Sequence, residues 1–70
     1  MIESGDIAGL AELYDRFAHA LDRKLTDREQ ARRQFYARLQ TLYDREGSAT
    51  RYEAFRFEMV KRCKEFLKKN

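Results

Sequence analysis

The sequence predicts an all-α domain, a compact three-helix bundle with helices near 6–23, 27–46 and 51–68. Three observations predict it. Apolar residues recur at spacings of three and four in three separate stretches, the signature of a helix with one buried face. Two Thr-x-x-Glu boxes, Thr26 to Glu29 and Thr50 to Glu53, open the second and third stretches. The chain contains no proline, so nothing breaks those stretches from within.

The first helix has Ser4 or Asp6 to accept the free N–H groups of its first turn. Its stripe is Ile7, Leu10, Tyr14, Phe17 and Leu21, widened by Leu13 and Ala18, and its opposite face is charged. The second helix starts at the Thr26 box. It carries Ala31, Phe35, Leu39 and Leu42, flanked by Tyr36 and Tyr43, and Gly47 is its left-handed stop. The third starts at the Thr50 box and carries Tyr52, Phe55, Met59, Cys63 and Phe66, with Val60 and Leu67 on one flank. Glu12/Arg16, Glu29/Arg33, Glu58/Arg62 and Glu65/Lys69 are acid-before-base pairs one turn apart. Each adds roughly 0.2–0.5 kcal/mol to its helix. Short connections favour antiparallel neighbours.

Seventy residues make one domain with a marginal core, which capping, ion pairs or a partner chain must support. Aromatic residues at 13% argue against disorder. The single cysteine, Cys63, excludes an internal disulfide and fits a reducing compartment. The acidic start lacks the basic region of a signal peptide, and no run approaches the ~20 apolar residues of a membrane span. A cytoplasmic location is the default expectation.

Catalytic constellations are missing from the pattern. Nucleophilic catalysis needs a nucleophile, a base and an orienting group in contact. His19 lies on the polar face of the first helix and Cys63 on the core stripe of the third, so the two are not expected to meet. Asp15 and His19 are one turn apart, but two ligands do not hold a metal, and no glycine-rich phosphate loop exists. The expectation is a non-enzymatic protein without cofactors.

Charge is unevenly distributed. Residues 1–26 hold five acids and three bases, residues 27–50 four acids and five bases, and residues 51–70 three acids and seven bases. The net charges are therefore −2, +1 and +4, which makes the last helix a basic element on a near-neutral body. Lys64, Lys68 and Lys69 offset the helix dipole near its C-terminus, but Arg51, Arg56, Lys61 and Arg62 lie beyond that explanation. The second helix is dense in arginine, at Arg28, Arg32, Arg33, Arg38 and Arg45, and guanidinium forks suit phosphate as well as carboxylate.

Two residues break the third helix's pattern. Arg56 lies near the centre of its apolar stripe, as Arg32 lies between Leu39 and Tyr43 on the second. Their stems can pack while their heads snorkel to the edge or reach an acid of the first helix. Alternatively they are paired guanidiniums facing a ligand or a partner carboxylate. Phe57 lies opposite the stripe, framed by Lys61 and Lys64. It is an ordinary exposed aromatic, a platform for a base, or a homodimer seam.

The segments "GDIAGLAELYDRFAHAL", "TDREQA" with Leu39, Leu42 and Tyr43, and "YEAFRFEMVKRCKEFLKK" follow one another in an order that resembles region 2 of sigma factors of the extracytoplasmic-function class. Arg32 and Arg33 stand where that family usually presents acids to the polymerase. The resemblance implies a stand-alone region-2-like module. Its last helix, with Arg56, Lys61, Arg62 and Lys64, would face promoter DNA, and Phe57 would stack on an unpaired base.

The favoured expectation is a small nucleic-acid-binding module acting in transcription or a related process. Its contacts would come from Arg56, Phe57, Lys61, Arg62, Lys64 and Lys68, aided by Arg32 and Arg33. The second is a protein-interaction module, an adaptor or regulatory subunit whose arginine-rich, aromatic surface meets an acidic partner. A third is docking of the basic last helix on an anionic membrane.

Overall fold

The computed structural model describes residues 2–47 and 49–69. It consists of α1 (Ser4–Ala20), α2 (Leu25–Glu46) and α3 (Tyr52–Lys69), with no strand among the described residues. The all-α three-helix bundle is thus the observed fold. Helix α1 is its centre, packing along both α2 and α3, whereas α2 and α3 meet only sparsely.

The helix starts differ from the expected caps. The first helical hydrogen bond of α1 runs from Ile7 N–H to the Glu3 carbonyl (3.2 Å), so Glu3 is the cap and Ser4 the first helical residue. Asp6 lies inside the first turn, where it accepts the Glu3 N–H at 3.2 Å. In α2 the first bond runs from Arg28 N–H to the Lys24 carbonyl (3.2 Å). Thr26 is therefore inside the helix, and Lys24 caps without a side-chain bond. Nothing in Leu25-Thr26 resists helix, and Asp27 and Glu29 near the N-terminus favour extension. In α3 the bond from Phe55 N–H to the Arg51 carbonyl (3.1 Å) puts Thr50 one residue outside. There the Thr50 carbonyl accepts the Tyr43 hydroxyl at 2.7 Å, which holds it in the turn. Gly47 does end α2 in the left-handed region, at φ 61° and ψ 33°, where a side chain would be strained.

The core is Leu10 and Ala11 of α1, Phe35, Leu39 and Leu42 of α2, and Phe55, Met59 and Cys63 of α3. The α2 and α3 residues are those of the expected stripes. The α1 stripe is corrected at its end. The helix stops at Ala20, three residues early, so Leu21 falls in the link and is 51% exposed, and Ala18 is exposed as well. Ala11 and Ala20, absent from the expected stripe, are buried instead, because the central helix needs small residues where its neighbours approach.

Two aromatic clusters tie the helices. Phe35 holds Tyr14 at 5.5 Å, Phe17 at 6.2 Å and Tyr36 at 5.3 Å between ring centres, joining α1 to α2. Tyr43 holds Tyr52 at 5.3 Å and Phe55 at 5.1 Å, joining α2 to α3.

Asp6 adds a polar tie. Its carboxylate accepts Arg38 at 3.3 Å and also Arg45, so two of the α2 arginines hold α1 in place. The hydrogen bond from Arg45, then that from the Glu3 backbone, keeps the Asp6 carboxyl below its ordinary range. A carboxyl depressed on folding stabilises the fold above its unfolded pKa and loses that effect as pH falls through the folded value. Asp6→Asn is therefore expected to lower the urea midpoint near pH 7. The gap to the unsubstituted protein should narrow below about pH 4, as Asp6 itself becomes neutral. Equal midpoints at neutral pH would show that the bridge contributes nothing.

Candidate functional site

The eight residues expected to bind divide among four places. Phe57, Lys61, Lys64 and Lys68 recur at spacings of four, three and four on α3, which aligns them on one stripe. The stripe faces away from the core residues Phe55, Met59 and Cys63, and all four side chains are exposed. Phe57 is 75% exposed, the most of any large hydrophobic residue described. None of the three lysines is ion-paired among the described residues. The result is a positive strip with an apolar ring at its N-terminal end.

Arg62 does not join that strip. It lies on the other flank of α3, pairs with Glu58 at 3.2 Å, and lines a groove of about 310 Å³ with Ile2, Ile7 and Phe66. Arg33 is exposed on α2 and unpaired among the described residues, because Glu29 turns to Arg32 instead, at 3.8 Å. The Glu12/Arg16 pair forms at 3.2 Å, while Glu65 and Lys69 form no pair among the described residues.

Arg32 and Arg56 come together on Tyr36. The Arg32 guanidinium carbon lies 5.5 Å from the Tyr36 ring centre, a cation–π contact. Arg56 Nη1 donates to the Tyr36 hydroxyl at 3.2 Å. Of the alternatives for Arg56, the bridge to an acid of α1 is the one that does not form among the described residues. The Arg56 head meets a tyrosine of α2 and no acid of α1, and the residue as a whole is exposed. Because α2 and α3 meet only sparsely, Arg56 reaches Tyr36 across an open seam.

Tyr36 was legible only as a flank of the α2 stripe. One signal was available, since Arg32 precedes it by one turn. Tyr52 stands in the same neighbourhood. Burial foremost, then the proximity of Tyr36, pushes its phenol above the ordinary value, so it stays a neutral donor at physiological pH.

The remaining reactive groups stay apart. Cys63 is fully buried, and burial pushes its thiol up to about 11, which suppresses the nucleophilic thiolate. His19 is exposed, with Nδ1 donating to the Asp15 carbonyl at 2.8 Å and 3.3 Å from the Asp15 carboxylate. Asp15 and His19 line an open polar groove of about 510 Å³ with Arg23, Asp27, Gln30 and Gln34, between the end of α1 and the start of α2. Among the described residues, no three His, Cys, Asp or Glu side chains cluster as metal ligands do. No helix among them is long and apolar enough to cross a membrane.

No family model, no curated protein and no solved structure matches this chain significantly.

Proposed function

We propose that the chain is a non-enzymatic nucleic-acid-binding module that meets single strands with the outer face of α3. The observation that carries this reading is Phe57, 75% exposed on a stripe whose other members are three lysines that form no ion pair among the described residues. Leaving a phenylalanine ring in water gains nothing for the fold, whereas an unpaired base can stack on it. Lysines along the same helix face provide ammonium groups for successive phosphates. The resemblance to sigma-factor region 2 would put promoter DNA on the same helix, and a role in transcription belongs to the proposal on that ground.

The reading is tested by titrating a labelled single-stranded oligonucleotide at several salt concentrations. Three lysine–phosphate contacts predict a slope of log K against log salt of about −2, at roughly −0.7 per contact on single strands. Lys64→Ala is expected to weaken binding and flatten the slope by about 0.7, while the helix content stays unchanged. Arg62→Ala, on the other flank, is expected to leave the slope as it was. An acidic protein partner is the competing occupant. Absence of DNA and RNA binding even at low salt would overturn the nucleic-acid reading and leave that competitor.

A further inference from the structure

The seam between α2 and α3 carries a second feature, separate from the lysine stripe. Two guanidinium groups, Arg32 and Arg56, are held by one side chain, Tyr36. Two like charges held near one side chain repel, and a bound anion would offset that repulsion. Neither is firmly neutralised within the fold. Arg56 has no carboxylate within ion-pair distance among the described residues. Arg32 has only Glu29, at 3.8 Å and with both side chains about half exposed, an arrangement that contributes little.

We infer that Arg32, Tyr36 and Arg56 form an oxyanion site for a phosphate monoester. The chemistry follows from the donors. The Tyr36 oxygen accepts a hydrogen bond from Arg56, which leaves its own O–H proton to donate outward. Each guanidinium keeps further N–H groups in a planar fork that suits phosphate oxygens. Two positive charges match a monoester dianion, which carries about −1.5 to −2 at neutral pH, better than a carboxylate or a phosphodiester with a single charge. The Tyr36 ring preorganises the pair: the cation–π contact fixes Arg32 above it and the hydrogen bond fixes Arg56 at its tip. The site does not depend on the lysine stripe, and it stands or falls without the nucleic-acid reading.

The test follows the arginine Nε–Hε resonances by NMR during titration with inorganic phosphate, with dimethyl phosphate at equal ionic strength as control. The expected result is a saturable shift of Arg32 and Arg56, with phosphate bound about tenfold or more tighter than the monoanionic diester. Tyr36→Phe keeps the ring under Arg32 and removes the hydroxyl, and is expected to weaken phosphate binding several-fold. Arg56→Gln is expected to abolish saturation while the circular dichroism spectrum stays that of the folded protein. A second arm compares oligonucleotides with 5′-phosphate and 5′-hydroxyl ends. Tighter binding of the phosphorylated strand, lost in Arg56→Gln and kept in Lys64→Ala, identifies a strand end as the source of the phosphate; equal binding with saturation by inorganic phosphate identifies a free small phosphate. Shifts that fail to saturate, or that spread equally over Arg16, Arg33 and Arg51, overturn the site.

Discussion

Phe35→Ala is expected to remove about 3–5 kcal/mol of stability, the usual loss when a large buried aromatic is truncated. Phe35 is 2% exposed and is the ring on which Tyr14, Phe17 and Tyr36 all converge. Truncation takes away the transferred apolar area and also leaves a cavity among aromatic rings that cannot collapse far. A domain of this size has a total stability of roughly 0.05–0.15 kcal/mol per residue, so the loss is comparable to the whole. The variant should be largely unfolded, or unfold with a broad transition far below that of the parent, as seen by circular dichroism on heating. Loss of Phe35 should also disturb the Arg32–Tyr36–Arg56 group, because Tyr36 leans on its ring. An unfolding free energy lowered by less than about 1 kcal/mol would mean that the α1–α2 contact does not depend on this cluster.

Phe57→Ala should behave in the opposite way. A side chain 75% exposed gives up little packing, so the unfolding free energy should stay within about 0.5 kcal/mol of the parent's. Binding to a single strand should fall by 1–3 kcal/mol if a base stacks there, which is about 5- to 140-fold in affinity. The slope against salt should not change, because no phosphate contact is lost. That combination separates stacking from charge: Lys64→Ala changes the slope, and Phe57→Ala changes only the intercept. If Phe57 is instead a seam between two copies, the parent's mass in solution will rise with concentration and the variant's will not. An unchanged affinity in Phe57→Ala would remove base stacking from the proposed mechanism.

Much of the scaffold was legible in the residues. The α2 stripe from Ala31 to Leu42 is the buried face of that helix, and the Phe55–Met59–Cys63 spacing is the buried face of α3. Gly47 stops α2 because a left-handed residue is needed there and glycine takes that conformation without strain. The caps were less legible. Thr26 and Thr50 both satisfy the capping-box pattern, yet each is displaced from the cap, by Lys24 and by Arg51. Where a helix begins depends on how the chain turns into it as well as on the local cap. The Tyr43 hydroxyl on the Thr50 carbonyl is a contact of the turn that no periodicity reveals.

The candidate sites divide along the same line. Local spacing alone determined that Phe57, Lys61, Lys64 and Lys68 share a face, because a single helix sets the angle between them. It likewise determined the three amphipathic helices, and hence an all-α bundle. Tertiary structure decided what each arginine does, since that depends on which other helix comes near. Arg38 and Arg45 both pair with the one Asp6 carboxylate, more than thirty residues away in sequence. Arg62 is turned to Glu58 beside α1, and Arg32 and Arg56 meet on Tyr36. On an isolated helical wheel Arg56 belongs near the centre of the apolar stripe. It is exposed because α1 alone covers α3 closely while α2 stands off, and only the packing of three helices together sets that distance.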